Sequence, residues 1–326
     1  MRKIKCFSGS SHPELSALIL ERLGLPAAPA TVKRFANQEL VVDLGCSVRD
    51  EDVFIIQSGS TSTNDHLFEL LIMINACKIA SARRITAVLP YFPYNKQSKK
   101  KKPRGAITAK LVGNMLAVAG VDHIITLDLH SSQIQGFFNK PVDNLVAEPT
   151  IARFIREQFP NYEQGVVICK NAGGAKRVTS LADRLNMDFA LIHRERYHVQ
   201  QEHARPAGTT RLTLVGDVQG KVCFMVDDII DGTHSFLDAA EHLKRCGASH
   251  VFVIATHGIL SDAGVFEIEA NAAVDGLIVT NSYPISAEKV AGCRKLRMID
   301  ISGTLAEAIR RTHNGESISY LFNTAI

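Results

Sequence analysis

A chain of 326 residues has room for two domains of ordinary size, and 46% apolar against 21% charged residues describes a globular protein, not a disordered or fibrous one. No apolar run approaches the ~18 residues of a spanning helix, and the first stretch, MRKIKCFSGSSHPEL, lacks the apolar core of a signal peptide, so a cytoplasmic protein without a membrane partner is expected. The net charge of +4 suits an anionic small ligand without calling for nucleic acid, and seven scattered cysteines, none in a CxxC pair, read as reduced core thiols.

Short apolar runs predict strands over Lys3–Phe7, Val53–Gln57, Ile85–Leu89 and Ile124–Leu127. Helical spacing lies between them at Leu15, Leu18, Ile19 and Leu23, at Leu67, Leu70, Leu71 and Ile74, and at Ile107, Leu111, Met115 and Val118, stopped by Gly120. The second half repeats the style with strands over Val166–Cys169, Phe189–Ile192, Val222–Val226, Val251–Ala255, Leu277–Thr280 and Met298–Ile301. Alternation of this kind argues for α/β domains with parallel sheets covered on both faces. Two such runs predict two similar domains, residues 1–147 and 148–326, joined near Pro141–Pro149. Two stretches interrupt the pattern: the basic Tyr94–Arg104, YNKQSKKKKPR, and Arg194–Gly216, a long loop carrying Pro206-Ala207-Gly208.

The chemistry-bearing stretches follow in the same order. Phe35-Ala36-Asn37-Gln38-Glu39 could sandwich and hydrogen-bond a planar base, or supply a core Phe and a polar turn. The basic stretch is a solvated surface, a nuclear-import-like run or a polyanion site. Asp128-Leu129-His130 ends an apolar strand with a carboxylate and an imidazole that can face one cation, or simply hydrogen-bond one another. Val166–Leu185 reads as strand, tight turn and helix, with Gly173 and Gly174 permitting close backbone approach and Lys176 and Arg177 adding charge at the helix start. Arg194-Glu195-Arg196 can close over a reacting phosphate or form a solvated charge cluster.

The stretch Val222–Ser235, VCFMVDDIIDGTHS, is the most informative. Five apolar residues suit a strand buried on both faces, followed by Asp227, Asp228, then Asp231-Gly232-Thr233-His234-Ser235, then a helical pattern at Phe236, Ala240 and Leu243. Carboxylates that accept from sugar hydroxyls, beside a helix N-terminus that offers free N–H groups, suit a sugar phosphate. The bland alternative is that the acids end a strand and Ser235 caps a helix.

Val222–Ser235 and DLHSSQIQGFFNKPVDN, Asp128 to Asn144, resemble motifs of the ribose-phosphate pyrophosphokinases (phosphoribosyl pyrophosphate synthetases). The resemblance covers essentially the whole chain and is densest at Leu70–Arg84, Asp128–Asn144, Ala172–Asp188 and Ile299–Phe322. It implies two tandem type I phosphoribosyltransferase domains, each a mostly parallel sheet flanked by helices. It implies transfer of pyrophosphate from ATP to C1 of ribose 5-phosphate with Mg²⁺. The carried-over roles are adenine binding by Phe35, Asn37 and Glu39; ATP phosphate binding by Lys96 and Gln97; and a magnesium motif of Asp128, His130 and Asp143, with Asn139 and Asn171 where the family has acids. Asp227 and Asp228 would take the ribose hydroxyls, Asp231, Gly232, Thr233, His234 and Ser235 the 5-phosphate, and Arg194 and Arg196 the transferring group, with His130 near the ATP phosphates. Ser47, Arg49, Ser81, Ser132, Gln135, Asn144, Ser317 and Ser319 match a regulatory phosphate/ADP site between subunits of a hexamer built from dimers.

Departures gather at the chemistry: Lys96 for Arg, Asn139 and Asn171 for acids, Arg194 for Lys, and the altered Gly232–Ser235 loop. They leave two expectations, a working synthetase or a catalytically impaired subunit that assembles with an active paralogue.

Overall fold

The computed structural model describes residues 3–100, 102–196, 210–261 and 263–326. They form two compact units. Lys101 of the basic stretch and Pro206-Ala207-Gly208 of the expected long loop lie outside the described residues.

Unit 1 is built in chain order from β1 (Ile4–Ser8), α1 (Pro13–Leu23), β2 (Ala30–Arg34), β3 (Leu40–Leu44), β4 (Asp52–Ile56), α2 (Thr63–Ile79), β5 (Arg84–Leu89), α3 (Thr108–Ala119), β6 (His123–Leu127) and β7 (Val142–Leu145). Its main sheet has the order β1-β4-β5-β6-β7, every pair parallel. All five residues of β4 are buried, which is why DVFII reads as an unbroken apolar run after its first residue. Phe7, Val53, Ile55, Ile85 and Ala87 pack against Leu70, Met73 and Ile74 of α2 and Val112 and Leu116 of α3.

The helix α4 (Glu148–Gln158) leads into unit 2. There follow β8 (Val166–Cys169), α5 (Ala175–Leu185), β9 (Asp188–Arg196), β10 (Thr210–Val215), β11 (Val222–Ile230), α6 (His234–Arg245), β12 (His250–Gly258), α7 (Gly264–Ala270), β13 (Gly276–Thr280), α8 (Ala287–Ala291) and β14 (Leu296–Ile299). The sheet order is β10-β9-β8-β11-β12-β13-β14, parallel except where β10 pairs with β9. Met225, Val253 and Leu277 meet Phe236 and Leu243 of α6 in its core.

The last helix, α9 (Ser302–Asn314), returns to unit 1 and packs on α1. Arg22 ties the two by donating Nε to Ser302 Oγ at 2.6 Å and pairing with Asp300 at 2.7 Å. At the other end of α9, the buried Asp52 carboxylate takes both Arg84 nitrogens and His313 Nδ1 at 2.8 Å.

Each strand expected from an apolar run is present, and four elements differ in a physically instructive way. The helix marked by Leu111, Met115 and Val118 forms, but those residues do not make its buried face: Leu111 is 54% and Val118 80% exposed. Ala109, Val112, Gly113 and Leu116 pack inward, and a Cβ on Gly113 would sit 3.0 Å from the Phe138 ring. The Arg194–Gly216 stretch is not a loop throughout: β9 runs to Arg196 and β10 begins at Thr210, antiparallel, with Arg194 opposite Leu212. The last strand lies two residues earlier than expected, at Leu296–Ile299. The acid pair does not end its strand, since β11 continues through Ile230.

Gly216 ends this hairpin with φ +119, and a Cβ there would lie 2.6 Å from that of Ala190. Gly216→Ala is therefore expected to destabilise the fold by about 1–3 kcal/mol through backbone strain and overlap. Urea unfolding reads this as a lower midpoint at unchanged slope.

Candidate functional site

In unit 2 the candidate residues collect at the carboxyl end of the parallel strands, where open α/β sheets leave room for ligands. Strand β11 carries Asp227 and Asp228 beside β12, whose ladder skips Asp228, and both carboxylates reach the same guanidinium. Both carboxylates are nearly enclosed, with side chains 13% and 6% exposed. Lys170, just beyond β8, sets Nζ 3.0 Å from Asp227 Oδ2. Arg177 on α5 reaches Asp227 at 3.6 Å and Asp228 at 3.4 Å. Burial pushes the Asp227 carboxyl above the ordinary range, Lys170 opposes that, and Asp228 adds to it.

The loop after β11 is held from below. Asp231 Oδ1 accepts from Ser261 Oγ at 2.6 Å, and the buried Thr233 hydroxyl donates to Glu267 on α7. Thr233, not Ser235, is the cap residue of α6, and its side chain makes no capping hydrogen bond. The first turn of this twelve-residue helix therefore has no side-chain cap at its N-terminus, the arrangement that favours an anion. His234 is exposed at the helix start, and no atom would lie within 4 Å of a Cβ on Gly232. Ser235 Oγ lies 3.3 Å from Lys170 Nζ.

Arg194 on β9 pairs with Asp238 of α6 at 3.3 Å. Of Arg196 only the backbone is described. Asn171 is exposed and closes its own turn: Oδ1 accepts from Gly174 N–H at 3.2 Å, and its backbone carbonyl accepts from the Cys169 thiol at 2.7 Å. A neutral amide whose oxygen already closes a turn, beside an ammonium on the nearest carboxylate, does not fit a hard divalent cation.

Unit 1 holds the other candidates. Phe35–Glu39 forms the tip of the β2–β3 hairpin, closed by Phe35 N–H to Glu39 O at 2.9 Å and by Gln38 at φ 71. Phe35 stands 59% exposed there, so the core reading of this Phe does not hold. Asn37 Oδ1 accepts from Glu39 N–H at 3.2 Å. Lys96 and Gln97 are exposed in the turn before α3, where Gln97 Oε1 accepts from Thr108 Oγ1 at 2.7 Å.

Asp128 has φ 40, which breaks strand alternation at that residue. Its Oδ2 accepts from Ala147 N–H at 3.1 Å. His130 is exposed, and its N–H donates to the buried Asn95 Oδ1 at 2.9 Å. Asp143 pairs with His123 at 2.9 Å, and Asn139 is exposed. Among the described residues no three His, Cys, Asp or Glu converge as a metal-ligand set.

The proposed regulatory residues fall in separate places. Ser47, Arg49 and Ser81 lie in turns that lead into β4 and β5, linked where Asp50 N–H donates to Ser81 O at 2.9 Å. Ser132 and Gln135 follow β6, and Asn144 near the end of β7 accepts from Leu129 N–H at 3.0 Å, so these three lie by the β6–β7 side of the same parallel sheet. Ser317 and Ser319 bond one another at 3.1 Å after α9.

The sequence pattern shows the charges of Lys170 and Arg177 but not their pairing with the acids, and it does not point to the parts played by Ser261, Glu267 or Asn95. Only tertiary structure brings these together. Asn95 alone carries a local signal, its place beside Lys96.

Comparison with known proteins agrees with this architecture. Residues 4–120 match the family model described as the N-terminal domain of ribose phosphate pyrophosphokinase, and residues 203–323 match a phosphoribosyl synthetase-associated domain. A solved phosphoribosylpyrophosphate synthetase from Mycobacterium smegmatis is 36% identical, with TM-score 0.87, over 96% of this chain and 100% of that one. A purine phosphoribosyltransferase from Pyrococcus horikoshii matches at 16% identity over 48% of this chain and 80% of its own, with a TM-score of 0.28 that supports no argument. The fold is accordingly two α/β units with mostly parallel sheets flanked by helices, and the chain belongs to the ribose phosphate pyrophosphokinase family.

Proposed function

We propose that this chain transfers the β,γ-pyrophosphoryl group of ATP to the C1 hydroxyl of ribose 5-phosphate, releasing phosphoribosyl pyrophosphate and AMP for nucleotide biosynthesis. One observation carries the reading: in unit 2 the enclosed pair Asp227–Asp228 lies near the end of β11, two residues before a loop braced from beneath and opening onto the α6 N-terminus. Carboxylates accept from ribose hydroxyls, and helix N–H groups receive the 5-phosphate. Chemistry of this type needs alignment and charge neutralisation more than a covalent residue.

The remaining roles follow the family pattern. Phe35 at the hairpin tip stacks on adenine while Asn37 and Glu39 hydrogen-bond it, and Lys96 and Gln97 hold the ATP phosphates. Lys keeps the charge that Arg would bring but not its bidentate geometry. Arg194 and Arg196 offset charge on the transferring group. Mg²⁺ enters with ATP as substrate, held mainly by the nucleotide phosphates with one or two carboxylates, Asp128 beside His130 being the best placed in sequence and Asp143 second. The active form is an oligomer, dimers assembled into a hexamer alone or with paralogues, and phosphate and ADP regulate it. Among the described residues no helix is long and apolar enough to cross a membrane, in keeping with a cytoplasmic enzyme.

A second reading, an impaired subunit that regulates an active paralogue, is favoured by the Lys170 ammonium against Asp227 and by the Asn171 amide that closes its own turn. The discriminating experiment is ribose-5-phosphate-dependent AMP formation by the purified full-length chain. Sustained turnover by the chain alone supports the synthetase and removes the second reading. A folded chain that binds ribose 5-phosphate yet forms no AMP supports the impaired subunit and removes the first.

A further inference from the structure

Three elements of unit 2 meet at one ammonium group. Lys170 Nζ, at the end of β8, lies 3.0 Å from Asp227 Oδ2 on β11, 3.3 Å from Ser235 Oγ in the first turn of α6, and 3.8 Å from the centroid of the Phe236 ring. The Lys170 side chain is only 13% exposed, as enclosed as its carboxylate partner. This is not a surface lysine that happens to approach an acid, because a ring face and a hydroxyl complete its surroundings.

The charges around it balance. Asp227 and Asp228 contribute two negative charges, and Lys170 and Arg177 two positive ones, within 3.0 to 3.6 Å. A divalent ion arriving at Asp227 would meet two fixed cations at contact range in an enclosed site, where repulsion is poorly screened. The other ligand available beside it is Asn171, whose oxygen is already committed to Gly174 N–H at 3.2 Å. An ammonium has three N–H donors. With one directed at Asp227 and one at Ser235, the third is shared between the Phe236 ring face and a ligand oxygen.

We propose that the Lys170 ammonium is a tethered cation that takes the place of a divalent metal at the sugar-phosphate site of unit 2, so that ribose 5-phosphate binds there without metal. The inference rests on the reading of Asp227–Ser235 as the ribose-5-phosphate site and deepens it. Lys170 bridges the two halves of that site, the acid that takes sugar hydroxyls and the loop that takes the phosphate. The chain thus carries in its own sequence a charge that would otherwise be recruited from solution, and its sugar-phosphate affinity becomes insensitive to the free metal concentration.

The test is calorimetric titration of the full-length protein with ribose 5-phosphate, in excess EDTA and in millimolar Mg²⁺. The expected result is the same affinity in both buffers for the unmodified chain. Lys170→Gln keeps the stem and loses the charge, and it is expected to weaken binding in EDTA by about 10- to 100-fold, the factor that follows from one lost charge-assisted hydrogen bond. The double variant Lys170→Gln/Asn171→Asp is expected to recover affinity in Mg²⁺ alone and to bind Mn²⁺, read by its electron paramagnetic resonance, where the unmodified protein shows no additional bound ion. Thermal unfolding of each variant confirms a folded sample. Should Lys170→Gln fail to fold, Lys170→Arg replaces it and is expected to keep metal-independent binding. Metal-dependent binding by the unmodified chain, or EDTA affinity unchanged in Lys170→Gln, overturns the tethered-cation proposal while leaving the sugar-phosphate site standing. No binding by the unmodified chain in either buffer overturns both.

Discussion

Asp227→Asn is expected to be the most damaging single substitution in unit 2, because it acts on stability and on ligand binding together. The Asp227 carboxylate is the acceptor 3.0 Å from Lys170 Nζ, and both side chains are 13% exposed. Replacing it by an amide leaves an enclosed ammonium without its counter-charge, a change that costs about 3 kcal/mol at the low end of the range for broken buried pairs. The same carboxylate is proposed to accept from ribose hydroxyls, so affinity for ribose 5-phosphate should fall by about 10- to 100-fold in addition. Asp228→Asn is expected to be milder in stability, since Arg177 still has Asp227 at 3.6 Å. Urea unfolding and calorimetry on the two variants separate these contributions. Pairing Asp227→Asn with Lys170→Met should recover part of the lost stability, because the second change removes the orphaned charge. Equal stability of Asp227→Asn and the parent chain would show that the ion pair does not form in solution.

The second large effect is expected far from the candidate chemistry. Asp52, 6% exposed in its side chain, receives Arg84 through two nitrogens and His313 Nδ1 at 2.8 Å, while Arg84 also donates to Thr312 O at 2.9 Å. One carboxylate therefore fastens α9, the last helix of the chain, to the start of the unit 1 sheet. Asp52→Ala should lower stability by about 3 kcal/mol through the uncompensated guanidinium and the opened helix contact. Hydrogen exchange should show the loss concentrated in α9 and its packing partner α1. A change below about 1 kcal/mol in urea unfolding would mean the cluster behaves as an ordinary surface pair.

Whether a feature can be read from the sequence depends on whether it is written locally. The central parallel strands are legible because burial on both faces demands continuous apolar runs, as in Val53–Ile56 and Val222–Val226. The β2–β3 hairpin and β10 are not, since they lie outside the buried central strands and alternate with polar residues. Periodicity locates α3 yet picks its outward stripe, because two of the four inward residues, Ala109 and Gly113, carry little hydrophobic signal, and Gly113 is small to let Phe138 approach. In the site, Asp227 to Ser235 can be read as one contiguous pattern. The pairing of Lys170 and Arg177 with those acids cannot, because it depends on β8 and α5 being folded against β11. Glu267 beneath Thr233 and Asn95 beneath His130 are likewise products of chain crossing. Departures such as Asn171 are visible in the sequence, but the ammonium set against the acid pair becomes visible only when Lys170 is seen beside Asp227.

The most direct test of the proposed activity is the identity of the products formed from ATP and ribose 5-phosphate, followed by phosphorus NMR with Mg²⁺ present. Transfer of an intact pyrophosphoryl group predicts AMP together with phosphoribosyl pyrophosphate in equal amounts, both requiring the sugar phosphate. Formation of ADP with a ribose bisphosphate, or AMP release that proceeds equally well without ribose 5-phosphate, would contradict it.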